Sequence, residues 1–246
     1  MKIIDAVWDY EVLGVKSVEV RCEIDDSTGS IFRTLMDLEK SYKYIVTKIP
    51  VSNRDFLFKA PDAGYRFIET LISVERTVRK SSIDSRLVKR AAALSAKKAT
   101  AEELTFVLDQ IMTGIFSTDR ISLDENFGPQ VGAKRYCNWI DSEMKQGGEV
   151  YTISLSTGTP LGFFTLRVTD DGIAHSILSG VFDSEKTPGF GLILLSMILT
   201  KAEEKGAKKI VSAISSNNLP VVRTHVQLGF EVKDLNYVFI RHLPKD

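Results

Sequence analysis

The sequence predicts an α/β (α+β) fold of two fused, related halves, each a mixed, mostly antiparallel sheet flanked by helices, with the first half degenerate. Three observations carry this. Residues 44–49 (Tyr-Ile-Val-Thr-Lys-Ile) align without a gap on residues 209–214 (Lys-Ile-Val-Ser-Ala-Ile), and at the same offset of 165 Asn53 falls on Asn218, Gly64 on Gly229 and Tyr65 on Phe230. In the second half, strand-like runs near 149–155, 160–168 and 173–182 are joined by the turn signals Ser156-Thr157-Gly158-Thr159 and Asp170-Asp171-Gly172. A glycine-bearing turn, Lys186-Thr187-Pro188-Gly189-Phe190-Gly191, then leads into an apolar helix. A strand, a helix and a last strand follow, so three hairpin-linked strands precede a βαβ crossover.

Taken in order, the first half offers a helix-patterned run at 31–40, the strand at 44–49, a helix after Asn53, and a strand entered through Gly64-Tyr65. Residues 76–98 are rich in Arg, Lys and Ala and read as a solvated connector leading into a helix. Thr100 with Glu103 forms a capping box for a helix over 100–112. A loop to Pro129 and a helix to about Lys145 precede the three strands. The glycine turn opens a helix over 190–205, stopped by Gly206; then come a strand at 209–214, a helix at about 218–227 and a strand at 230–240. The division expected is 1–80 for the first half and 81–246 for the second.

At 246 residues, 43% apolar and 26% charged, the chain has the composition of a globular protein with ample core. Its 32 basic and 32 acidic side chains cancel, which argues against a nucleic-acid or anionic-membrane surface built on bulk charge. The longest apolar run, 189–199, is far short of the roughly 20 residues that span a bilayer. The N-terminus lacks a signal-peptide pattern, and Cys22 and Cys137 form no metal-spacing motif, so a reduced cytoplasmic setting without a bound metal is expected.

A glycine turn at a helix start presents unpaired backbone N–H groups, backed by the helix dipole, to an anion such as a pyrophosphate. A dinucleotide loop needs a third glycine where Leu194 stands, and the Gly-Lys-Ser/Thr ending of a Walker A loop occurs nowhere. The arrangement [Arg/Gln]-x-x-Gly-x-[Gly/Ala] between a strand and a helix instead resembles the pyrophosphate loop of the GCN5-related N-acetyltransferases (GNATs), with Lys186 in the Arg/Gln place. Asn218, a helix and then Leu228-Gly229-Phe230 are similar to that family's second block.

The resemblance implies two GNAT-like halves, with acyl-CoA chemistry in the second only because the first lacks the glycine loop. It implies acetyl-CoA or another acyl-CoA as cosubstrate and no permanently bound cofactor. Val181 and Phe182 would supply backbone N–H groups to the thioester carbonyl and pantetheine. Lys186, Thr187, Gly189, Phe190, Gly191, Leu192 and Asn218 would hold the rest of the CoA. The family's usual Tyr acid, four residues before the glycine, is replaced here by His225. A protonated imidazole can give its proton to a thiolate, and a neutral one can take a proton from the amine. Asp183 and Glu185 are further base candidates.

The chain also resembles the dTDP-fucosamine N-acetyltransferase branch of sugar-nucleotide acyltransferases, through Trp8-Asp9, the segment from Phe116 to Asp124, and the aromatic helix Arg135-Tyr136-Cys137-Asn138-Trp139. That implies a dTDP-linked amino-deoxysugar as acceptor, with Arg120, Asp124, Asn126 and Tyr136 on the acceptor side. Arg120 or Arg135 would pair with the nucleotide diphosphate. Within the enzymes, a protein N-terminus or another small amine is the alternative acceptor. A non-catalytic CoA-binding module is the alternative from outside them. The edge strand of the first half would suit pairing across a two-fold in a homodimer.

Overall fold

Alternating and continuous apolar runs in the first half give β1 (Lys2–Asp5), α1 (Val7–Leu13), β2 (Ser17–Arg21), α2 (Thr28–Leu38), β3 (Tyr44–Pro50), α3 (Arg54–Lys59) and β4 (Arg66–Thr77). The second half adds α4 (Ser85–Ala91), β5 (Leu94–Lys98), α5 (Ala101–Met112), α6 (Pro129–Lys145), β6 (Glu149–Leu155), β7 (Pro160–Val168), β8 (Ile173–His175), β9 (Ser179–Val181), α7 (Phe190–Glu204), β10 (Lys209–Ser215), α8 (Leu219–Gln227) and β11 (Glu231–His242). This computed structural model describes residues 1–78, 85–183 and 189–244. The expected division at 80/81 falls outside the described residues.

The described strands form one sheet, in the order β1-β2-β3-β11-β4-β10-β8-β7-β6-β5, with β9 paired to β7. Both halves therefore contribute to the centre of one sheet, and they exchange strands there. β4, from the first half, lies between β10 and β11; β11, from the second, lies between β3 and β4.

The internal repeat is the symmetry of this exchange. β3 and β10 begin at residues 44 and 209, and β4 and β11 at 66 and 231, each pair 165 apart. Tyr44 faces His242 across β3–β11, and its repeat partner Lys209 faces Thr77 across β4–β10. The central β4–β11 ladder is interrupted twice, where Lys233 and Ile68 are each left without a partner residue, again 165 apart. Such bulges add twist and re-aim the neighbouring side chains. Asn53 and Asn218 cap α3 and α8 in the same way, each accepting from the backbone N–H three residues on, of Phe56 and Val221. Gly64 and Gly229 turn the chain into β4 and β11 with φ of +78° and +72°.

Helices cover the sheet on two sides. One face packs α7 and α8 against Phe164, Leu166, Ile210 and Ile214. On the opposite face, Val107, Ile111, Ala133 and Ile140 of α5 and α6 cover Val150 and Phe163. Beside them Leu13 and Ile121 close over Tyr44, Val46, Val238 and Ile240. The first half's own α2 and α3 enclose Ile31, Leu35 and Phe56 against Val18, Val20 and Ile45.

Two expectations need correction. Residues 94–98 are not connector but strand β5, paired antiparallel to β6 from Leu94↔Leu155 to Lys98↔Tyr151, and Arg76 and Thr77 still belong to β4. The alternation of Lys and apolar residues over so short a stretch is a weak signal, and an edge strand rich in Lys is a common guard against edge pairing. The strand expected at 173–182 is broken into β8 and β9. β8 pairs with β7 and, in parallel, with β10; β9 pairs with β7 alone.

β7 and β9 approach closely because each carries a glycine, Gly162 opposite Val181 and Gly180 opposite Phe163. A Cβ built on Gly162 would lie 2.5 Å from the Gly180 carbonyl oxygen, and one on Gly180 would lie 2.9 Å from Phe163 and 3.0 Å from Ile115. Gly162→Ala should therefore force β9 away from β7 and cost about 1–3 kcal/mol in urea denaturation. An unchanged midpoint would show that the contact is slack.

Candidate functional site

The break between β8 and β9 makes the site. β8 and β10 run parallel and bonded from Ile173↔Lys209 to His175↔Val211. Beyond Val211, β10 continues to Ser215 with β4 on one side only, while β9 follows β7. The two strands splay, leaving a gap between residues 179–181 and 212–215. Backbone groups that face such a gap need a partner. The Phe182 N–H donates to Leu161 O at 3.0 Å, and the Leu178 N–H to Thr165 Oγ1 at 3.1 Å, both toward β7. Alternation along the strand puts the Ser179 and Val181 N–H groups on the gap side. Of the two donors expected for a thioester carbonyl, the Val181 N–H faces the gap, whereas the Phe182 N–H is taken up by β7. The Phe182 ring stacks on Phe163 at 6.0 Å.

In the first half, the equivalent strands β2 and β3 stay paired from Ser17↔Tyr44 to Arg21↔Lys48, and the Cys22 N–H extends the ladder to Lys48 O. That gap is closed, and Ser27 caps α2 through the Ser30 N–H. The second half differs on both counts. Gly189, exposed, starts α7 in the left-handed conformation at φ +77°, which a side chain would strain, and α7 has no side-chain cap. Phe190 is buried in the core, so its side chain anchors the turn. The first backbone N–H groups of α7 have no intrahelical acceptor. The Leu192 N–H already reaches Gly189 O at 3.3 Å, which leaves Phe190 and Gly191 as the better anion donors. A Cβ built on Gly191 would lie 3.9 Å from Thr224 Oγ1 of α8. Glu185, Lys186 and Thr187 lie outside the described residues, and half-buried Asp183 follows β9.

On α8, the Asn218 carboxamide oxygen accepts from the Val221 N–H at 3.3 Å, so it caps the helix. His225 is 7% exposed, edge-on to Phe230 at 4.6 Å, and its Nδ1 is 2.9 Å from Val221 O. A carbonyl can only accept, which makes Nδ1 the protonated nitrogen and Nε2 an acceptor. Burial pushes the imidazole below its ordinary value, against a weaker opposing effect of the Val221 carbonyl. The resting form is neutral, suited to taking a proton; giving one to a thiolate would first require that it acquire one.

The residues expected on the acceptor side come together, but partly with one another. Asp9, 1% exposed, accepts from Arg120 Nη2 at 2.9 Å and from Arg135 Nε at 2.6 Å. Arg120 also donates to the Tyr44 hydroxyl at 3.3 Å, and the Arg135 guanidinium lies 4.0 Å from the Trp139 ring centre. This buried triad fastens α1 to α6 and to the 113–128 segment. Asp124 accepts from His242 Nε2 at 2.7 Å and from the Asn126 backbone and side chain at 3.0 and 3.1 Å. Burial works to raise its carboxyl, but those donors hold it below the usual range. Tyr136 packs on Phe116 at 4.6 Å and is half-buried.

Sequence reasoning missed Asp9 as a hub, the His242–Asp124 pair, and Glu69 on β4. For Glu69 a signal existed: it is a single acid within the strand-like run Phe67-Ile68-Glu69-Thr70-Leu71-Ile72. Among the described residues no cluster of His, Cys, Asp and Glu could hold a metal ion, and no helix is long and apolar enough to cross a membrane.

A sheet splayed between two parallel strands, with an uncapped helix start beside it, is the frame of the GNAT fold, and known structures share it. A GCN5-related N-acetyltransferase from Sphaerobacter thermophilus matches with a TM-score of 0.65 at 12% identity, over 98% of this chain and 75% of its own. A tandem GNAT protein from the clavulanic acid biosynthesis pathway matches with a TM-score of 0.53 at 14% identity, over 94% of this chain and 76% of its own. The chain has this fold, with two GNAT-like halves. No family model matches it. In sequence, 103 residues are 29% identical to the L-methionine sulfoximine/L-methionine sulfone acetyltransferase of Pseudomonas aeruginosa, covering 38% of this chain and 57% of that protein. The match thus spans little more than half the length of that relative.

Removing the Asp9 carboxylate would leave two buried guanidinium groups unpaired. Asp9→Ala should cost about 3–5 kcal/mol in urea denaturation. A cost below about 1 kcal/mol would mean that water reaches both arginines.

Proposed function

We propose that this protein is an acyl-CoA-dependent N-acyltransferase that moves an acyl group, acetyl in the simplest case, onto the primary amine of a small molecule by direct transfer. The gap between β9 and β10 is the observation that carries this reading. An extended cosubstrate with amide groups, as pantetheine is, fits where strand pairing is missing, and the α7 start accepts its pyrophosphate. The Val181 N–H faces the carbonyl that becomes an oxyanion when the amine attacks. Holding the amine and the thioester together supplies most of the acceleration. On this reading His225, neutral and buried, takes up a proton from the amine on the α8 side. The acetyltransferase relative supports the reaction class.

The narrower acceptor suggested by sequence, a dTDP-linked amino-deoxysugar, needs cations for its diphosphate. Arg120 and Arg135, which would supply them, are both bound to Asp9 inside the protein. The arrangement therefore favours a smaller amine, such as the amino-acid sulfone of the relative, over a sugar nucleotide.

Thiol release from acetyl-CoA, with product masses, should be measured against L-methionine sulfone, L-methionine sulfoximine and a set of dTDP-amino-deoxysugars. Turnover on one of the amino acids is expected. CoA binding without turnover on any of them would favour a non-catalytic CoA-binding module, and no CoA binding would refute the proposal. On the preferred acceptor, His225→Phe should lower turnover about 10-fold or more with CoA affinity nearly unchanged. Turnover equal to the wild type would remove His225 from the mechanism.

A further inference from the structure

Glu69 comes from the first half, which lacks a CoA gap of its own, yet the strand exchange carries it beside the end of β10, the strand that borders the gap of the second. β4 runs antiparallel to β10, with Leu71 opposite Ser215, the last residue of β10. One residue beyond Leu71, the Thr70 N–H donates to Ser216 Oγ at 2.9 Å and the Ser216 N–H donates to Thr70 O at 2.9 Å. Glu69 is the next residue, just past the end of β10. It shares a sheet face with Leu71, on the side covered by α6 and the 113–128 segment.

The surroundings of this carboxyl are specific. Ser215 lies beside it and ties the same corner to the 113–128 segment by donating from Oγ to Thr118 O at 3.1 Å. Arg120 and Asp119 face it from that segment, Lys48 from β3 and Tyr136 from α6. The cations are engaged elsewhere: Arg120 with Asp9 and Tyr44, Lys48 with Glu19 at 2.9 Å. Glu69 is 6% exposed, and its Oε2 is buried with no hydrogen-bond partner. A buried carboxylate oxygen left without a donor is costly and rarely retained without a use. Here the orphan oxygen belongs to the residue just past the end of β10, the strand that borders the gap, on its β4 side.

On the acyltransferase reading above, we infer that Glu69 is the group that receives the acceptor's ammonium and takes its proton. The carboxylate oxygen without a partner accepts from the N–H3+ group. One proton passes from nitrogen to Glu69, freeing the lone pair. The neutral amine attacks the thioester carbonyl, forming the C–N bond. The tetrahedral intermediate then collapses with cleavage of the C–S bond, and the second amine proton passes by way of His225 to the departing thiolate. Glu69 returns its own proton to solvent. Burial, and to a lesser degree Asp119, raises the Glu69 carboxyl above its usual range, against Ser215, Arg120 and Lys48. That brings it nearer the neutral pH at which a general base works best. The second reacting group of the site thus belongs to the half that has lost its own CoA gap.

Propylammonium is a suitable probe, because it offers the amine and little else. Saturation-transfer NMR on the CoA-loaded full chain should show saturable binding to the wild type and at least a 10-fold weaker signal for Glu69→Gln, with the CoA dissociation constant unchanged within threefold. Thiol release from acetyl-CoA with propylamine should exceed the uncatalysed blank for the wild type. It should fall at least 100-fold in Glu69→Gln and be partly restored in Glu69→Asp. Propylammonium binding retained in Glu69→Gln would overturn the amine site. A wild type no faster than the blank, or a Glu69→Gln variant within threefold of it, would overturn the proton transfer. Absence of CoA binding in the wild type would instead refute the acyltransferase reading itself.

Discussion

The antiparallel pairing of β4 with β11 is the contact on which the rest of the molecule depends. Each half ends in a long strand that does not close its own sheet but inserts into the other's. Backbone hydrogen bonds buried in the centre of a sheet cannot be traded for water. Neither half can therefore withdraw its strand without leaving two ladders of the other unpaired. The symmetry extends to the bulges at Ile68 and Lys233 and to the Asn53 and Asn218 caps. This is the local signature of two units that share one origin of form, joined as a swapped pair within a single chain.

That symmetry is broken at the gap between β9 and β10. β2 and β3 zip together along the whole of β2 and α2 is capped by a serine, so the first half offers neither a gap nor a bare helix start. In the second half, β9 leaves β10 to follow β7, through the close Gly162–Gly180 approach, and Gly189 opens α7 without a cap. The degenerate half is not idle. Its α1 delivers Asp9 to the arginines of the 113–128 segment and α6, and its β4 delivers Glu69 to the end of β10.

The sequence made much of this legible, and what it hid has physical reasons. The repeat at offset 165 marked the strand, cap and turn of each half because those positions are constrained locally, by capping and by positive φ. The capping box at Thr100 and Glu103, the helix from Pro129, and the glycine start of α7 were legible for the same reason. Strand exchange was not, since a strand in its own sheet and the same strand in its neighbour's bury the same pattern of side chains. For that reason Glu69 looked like part of an inactive half. Arg120 and Arg135 looked like ligands for phosphate, because spacing shows a cation but not the buried carboxylate, more than a hundred residues away, that already holds it. The break at 176–178 was invisible for a similar reason: a continuous β-like run does not reveal that one of its neighbours has turned away.

Hydrogen–deuterium exchange with and without acetyl-CoA would test most directly whether the working gap lies where these strands diverge. Protection on binding should concentrate in 179–183, 189–193 and 212–216, with 17–22 and 44–50 unchanged. Protection confined to the first half, around β2, β3 and the start of α2, would contradict the account.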